Sequence, residues 1–143
     1  IEKFNEIASQ YPGTSSSDFA ILNSLRGEVL LGNFEKVEDL VINSTLSSSD
    51  NSLNYQFNRL KGDILFDRSN YSEALNFYNK SISMSNSSDL SLPVKIKKIY
   101  VLMEMGEYGK AESIMSSIDR DEIGFSEKNT LIEIEYFLKN KAK

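Results

Sequence analysis

The sequence predicts an all-α chain built from helical hairpins laid in series, and three observations carry that expectation. Apolar residues recur at helical spacing through most of the 143 residues, the pattern of amphipathic helices. Short polar breaks, several of them containing Gly, fall between those stretches. A period of 37 residues then runs through the chain twice: Phe34, Tyr71 and Tyr108 keep it, as do Val37, Ala74 and Ala111, Leu40, Phe77 and Ile114, and Asn33, Asn70 and Glu107. A period held by several positions at once marks repeated supersecondary units that bury their apolar faces against one another.

Taken in order, residues 1–10 carry Phe4, Ile7 and Ala8 on one side, and Tyr11-Pro12-Gly13-Thr14 ends that helix. Proline has no amide to donate and glycine accepts the turn. Ser15 to Asp18 supplies a capping cluster for a helix to about Leu31, with Leu22, Leu25, Val29 and Leu30 inward;. Gly32-Asn33 turns the chain into a helix from about Glu35 to Leu46, with Val37, Leu40 and Val41 inward. A polar loop, 47–52, leads to the second unit, whose first helix carries Tyr55, Leu60, Ile64, Leu65 and Phe66. Asn70 and Glu73 have capping-box spacing for its return helix;. In the third unit Asp89 or Ser91 caps, Pro93 sits in the first turn, and Ala111, Ile114, Met115 and Ile118 follow the turn at Gly106-Glu107-Tyr108;. Ser126 caps a last helix with Leu131, Ile134 and Leu138 on one face and Lys and Glu on the other.

The small Gly62, the aromatics Tyr71 and Tyr78 and the small Ala74, in the stretch from Gly62 to Ile82, resemble the tetratricopeptide repeat, whose period is ~34 residues;. The resemblance implies a right-handed α-α superhelix of about three hairpins, with a half-repeat at 1–14, units near 15–50, 51–88 and 89–124, and a capping helix at 125–143. Val37 departs from the Ala position and Leu25 stands where the second unit has Gly62, so the first hairpin is expected to be the most splayed. Tyr11-Pro12-Gly13-Thr14, together with Arg59 to Leu65 and the return helix after it, is similar to bacterial envelope members of the superfamily, first the YfgM-like subunits of the Sec translocon and second the outer-membrane assembly lipoproteins of tetratricopeptide type. That narrower likeness implies a chaperone-like or scaffolding role in the periplasm and a membrane anchor before Ile1, with a cytoplasmic location the alternative. The chain opens on Ile1 rather than Met, which itself predicts a piece of a longer protein.

Composition narrows the chemistry. The chain has 21 acidic against 16 basic residues, a net charge of -5, which argues against a nucleic-acid partner because phosphate contact needs a basic face;. It contains no Cys, His or Trp, which removes thiol nucleophiles, imidazole bases and zinc sites built on those ligands;. No apolar run approaches the ~20 residues of a membrane span. Neither a cofactor nor a metal is expected, and no catalytic set is visible. Asp63 and Asp67 lie one turn apart and could share a proton or hold a cation, but such a pair more often forms a charged face.

Function is therefore expected on a surface. In the resembled fold the first helix of each hairpin lines the concave side, which here draws on Phe19, Leu22, Asn23 and Arg26, then Gln56, Arg59, Asp63 and Asp67, then Lys97, Tyr100 and Glu104. The expected ligand is a peptide or partner protein. The variant of the family that captures a C-terminal carboxylate needs Lys, Asn and Arg where this chain has Leu22, Arg26, Gln56, Leu60 and Pro93, so that specificity is not expected. The second expectation is assembly without a groove ligand, as a homodimer through the open ends of the stack.

Overall fold

The chain is all-helical. A computed structural model describes residues 1–47, 49–85, 87–121 and 123–141. Among them are eight helices and no strand: α1 Glu2–Gln10, α2 Ser15–Leu30, α3 Phe34–Asn43, α4 Asn51–Asp67, α5 Tyr71–Met84, α6 Ser88–Glu104, α7 Tyr108–Ser116 and α8 Phe125–Lys141. Contacts run mainly between successive helices, and α2 also meets α4.

The turns that join α2 to α3, α4 to α5 and α6 to α7 share one geometry. Each ends a helix with a residue in the left-handed region, Gly32 (φ 77°), Ser69 (φ 60°) and Gly106 (φ 72°). In each, the following amide reaches back to close the last turn: Asn33 N–H to Glu28 O at 3.0 Å, Asn70 N–H to Leu65 O at 2.8 Å, and Glu107 N–H to Leu102 O at 2.8 Å. This is the Schellman arrangement, which satisfies carbonyls that the helix end leaves unpaired. It reverses the chain, so Phe66 meets Tyr71 near the α4–α5 turn while Ser81 Oγ donates to Tyr55 O at 2.9 Å near the far end. The two helices of that pair are therefore antiparallel.

Three apolar cores follow one another. Leu22, Leu25, Val37, Val41, Leu53 and Phe57 form the first, from α2, α3 and α4. Tyr55, Leu65, Ala74, Tyr78, Val94 and Val101 form the second, from α4, α5 and α6. Ile99, Leu102, Ala111, Met115, Leu131, Ile134 and Leu138 belong to the third, which ties α6 and α7 to α8. Ala74 and Ala111 are both fully buried, as close helix approach requires;. α2 and α3 meet less extensively than α4 and α5.

Helix ends depart from expectation. Thr14, not the Ser15–Asp18 cluster, caps α2, its hydroxyl oxygen accepting from Ser17 N–H at 3.2 Å, while Ser17 and Asp18 lie buried inside the helix. α3 stops at Asn43 rather than Leu46, because Ser44 turns extended at ψ 151°. Asn70 and Glu73 do not make a capping box: the Asn70 amide already serves Leu65 O, and its side chain instead donates to Glu73 Oε2 at 3.0 Å. α6 begins at Ser88, so Pro93 lies past the first turn and Ser91 is buried within the helix; the Asp89 side chain falls outside the described residues. α8 begins at Phe125, its first turn closed by Lys128 N–H to Gly124 O, which places Ser126 inside the helix.

Two inward assignments and one outward one are also corrected. Leu30 is 88% exposed, because it lies on the same exposed side as Asp67, 37 residues later. Leu40 is half exposed, and Glu38 takes the inward place and pairs with Arg68 of the α4–α5 turn. The outer side of α8 is not purely charged, since Phe125, Ile132 and Tyr136 are exposed there.

Candidate functional surface

Polar residues of α2, α4 and α6 supply the candidate site, Arg26 exposed and Gln56, Arg59, Asp63 and Lys97 half-buried. Arg26 donates to Gln56 Oε1 at 2.6 Å, tying α2 to α4 across the face. Together with Arg59, Leu60 and Asp63 these residues line a depression of about 170 Å³. Asp63 Oδ1 accepts from Lys97 Nζ at 2.6 Å and from the Tyr78 hydroxyl at 2.8 Å, so one carboxylate joins α4, α5 and α6. Burial, and then the nearby Asp63 charge, push the Tyr78 phenol above its ordinary range.

The structure brings Arg26, Gln56, Arg59 and Asp63 together at that depression, with Lys97 attached through Asp63. The remaining candidates continue the same faces by helical geometry. Asn23 lies one turn before Arg26 and is half-buried, its side chain donating to Phe19 O at 2.8 Å. Asp67 lies one turn beyond Asp63 and is exposed. Tyr100, 39% exposed, and the exposed Glu104 extend α6 beyond Lys97. Phe19 is half exposed and borders a larger hollow of about 490 Å³ with Phe4, Ile7 and Leu53. Leu22 is a correction: it is fully buried in the first core, where it packs with Val37 and Val41, and cannot face a ligand.

Sequence reasoning missed two buried charged residues that lie away from the depression, Lys61 and Glu28. Lys61 is 5% exposed, and its ammonium donates to Ser44 O at 2.6 Å and Ile42 O at 3.3 Å while lying 5.1 Å from the Phe57 and Phe77 ring centres. It satisfies the carbonyl end of α3, where the helix dipole favours a cation. Desolvation, followed by the Lys80 charge, holds its pKa below the ordinary lysine value. Glu28 is buried beside the α2–α3 turn and accepts from Lys36 and from Asn33 Nδ2, which hold its pKa below the usual carboxylate value. Long charged side chains are rarely buried unless paired, so nothing short of the partners' positions signals these two.

The charge pattern is local. At the depression Arg26, Arg59 and Lys97 face the single carboxylate of Asp63, and one turn along lie the acidic Asp67 and Glu104. Among the described residues no group of three or more His, Cys, Asp or Glu is placed to hold a metal ion, and no helix is long and apolar enough to cross a membrane. No family model, curated protein or solved structure matches the chain.

Proposed function

We propose that the chain is a tetratricopeptide-like solenoid, a right-handed superhelix of hairpins, whose first helices form a concave face that holds a segment of a partner protein. One observation carries the reading: each apolar core is shared between one hairpin and the first helix of the next, while the polar faces of α2, α4 and α6 stay partly open to solvent. Serial sharing of cores is how stacked repeats hold together. Chemistry on the substrate is not part of this reading. The function is binding, and a scaffolding or chaperone-like role in the bacterial envelope is its narrower form.

The charge order describes the ligand. An extended segment places a carboxylate between Arg26 and Arg59 and a Lys or Arg roughly 9–12 Å further on, about two helical turns, beside Asp67 and Glu104;. Arrays of peptides that differ in the order of acidic and basic residues test this. Acidic-then-basic peptides are expected to bind, and the Arg26→Ala/Arg59→Ala variant to bind them at least tenfold more weakly at low salt. Equal binding by parent and variant contradicts the assignment. Asp63 is a poor probe, because removing it strands the buried Tyr78 hydroxyl and Lys97 together.

A further inference from the structure

Arg59 has no partner at the depression. It stands four residues before Asp63 on α4, the spacing at which opposite charges on a helix pair;. Asp63 is already engaged, its Oδ1 accepting from Lys97 Nζ at 2.6 Å and from the Tyr78 hydroxyl at 2.8 Å. Among the described residues the Arg59 guanidinium therefore makes no ion pair and no hydrogen bond, although it is half-buried. Partial burial strips water from a charge, and an anion placed beside it restores what is lost.

Two further donors point the same way. Gln56 Oε1 accepts from Arg26 at 2.6 Å, so Nε2 faces away from Arg26, with no acceptor among the described residues. Arg26 uses one of its five N–H groups in that bond and keeps the others;. In charge, Arg26, Arg59 and Lys97 set against Asp63 leave two positive charges at the depression. A carboxylate on a ligand neutralises one of them. A phosphate monoester, at about −1.5 to −2 with three acceptor oxygens, neutralises both and can engage Arg26, Arg59 and Gln56 Nε2 together.

The surroundings narrow the source of that group. Asp67 and Glu104, further along α4 and α6, repel a second phosphate, which excludes a nucleic-acid strand in favour of a single phosphate;. Among the described residues Leu60 is the single apolar one in the lining, so the ring of a phosphotyrosine finds no slot. We propose that the depression reads the phosphorylation state of the partner segment, taking a phosphoserine or phosphothreonine, with aspartate or glutamate as weaker substitutes. The proposal rests on the binding face assigned above and names the group that occupies it.

Isothermal titration of the full 143-residue chain with three peptides tests it. They carry phosphoserine, glutamate or serine, followed three residues later by Lys, which in an extended chain spans the distance to Asp67 and Glu104;. At pH 7.5 and low salt the phosphoserine peptide is expected to bind at least tenfold more tightly than the glutamate peptide, and the serine peptide most weakly. At pH 5.5, below the second phosphate pKa of about 6, the preference is expected to shrink by about fourfold. The chain has no His, so no imidazole of its own titrates over that range. Arg59→Gln, checked for helicity by circular dichroism, is expected to bind the phosphoserine and glutamate peptides within about threefold of each other, whereas Lys110→Gln on α7 keeps the preference. A glutamate peptide that binds as tightly as the phosphoserine one overturns the inference and leaves the binding face standing. So does an Arg59→Gln variant with the full preference. Displacement of the phosphopeptide by inorganic phosphate at equal concentration would mark a free-anion site and overturns it too. No binding by any of the three peptides removes the face and the inference together.

Discussion

The ring of Tyr78 fills the space that a side chain on Gly62 would need, since a Cβ there would lie 2.5 Å from the ring. The neighbouring pairs divide the same volume differently, Leu25 with Val41 and Ile99 with Met115. Gly62→Ala gains about 1 kcal/mol of helix propensity but overpacks the α4–α5 contact by about 1–3 kcal/mol, so a net loss is expected in urea denaturation. Gly62→Ile combined with Tyr78→Met, the pair of the third hairpin, is expected to recover most of the stability lost by Gly62→Ile alone. Additive effects of the two substitutions would contradict direct packing.

Tyr78 also gives the fold an alkaline limit. Its phenol is buried and held above its ordinary pKa, so above about pH 10 the folded chain keeps a proton that the unfolded chain releases;. Its contribution is complete below that pH and falls as pH rises, by up to about 1.4 kcal/mol per pH unit. Urea melts between about pH 9 and 11 are expected to show this slope in the parent and a shallower one in Tyr78→Phe.

Ser69 occupies the left-handed position that Gly32 and Gly106 fill in the sister turns. A side chain there costs ~1–2 kcal/mol, so Ser69→Gly is expected to raise stability by about 1 kcal/mol and the melting temperature by a few degrees. Thermal unfolding followed by circular dichroism reads it. The same change at exposed Ser72, inside α5, is expected to destabilise by about 0.5–1 kcal/mol;.

Lys61→Met keeps the stem of the side chain and removes its ammonium. The carbonyls of Ile42 and Ser44 then lose a donor, and a loss of about 1–3 kcal/mol is expected;. Hydrogen exchange is expected to speed up most at the end of α3 and in the segment just after it. A uniform acceleration over the whole chain would show instead that Lys61 acts only through global stability.

The all-helical architecture, the turn positions and most of the core could be read from the sequence because they are properties of periodicity. Ala74, Ala111, Leu131 and Leu138 keep their buried phase across 37-residue steps. Helix ends could not be read this way. The Asn70 amide was already committed to Leu65 O, which no spacing rule reveals, and Thr14 took the capping role from the more conspicuous serines after it.

The candidate site was legible as a set of residues but not as a set of bonds. Arg26, Gln56, Arg59 and Asp63 do line one depression, yet Asp63 is held by Tyr78 and Lys97. Leu22 was misplaced because its neighbours in phase, Arg59 and Ile96, differ in polarity, so the pattern alone did not say which way that position faces. The second apolar side of α8 is masked in the sequence because Leu131, Ile134 and Leu138 already give a complete stripe.

The proposed binding face is tested most directly by amide chemical shifts in a ¹H–¹⁵N titration with an acidic-then-basic peptide chosen from the array. The account predicts that the largest changes gather at Arg26, Gln56, Arg59, Lys97 and Tyr100. Changes gathered on α3, α5 and α7, at Lys36, Glu73 and Lys110, would contradict it.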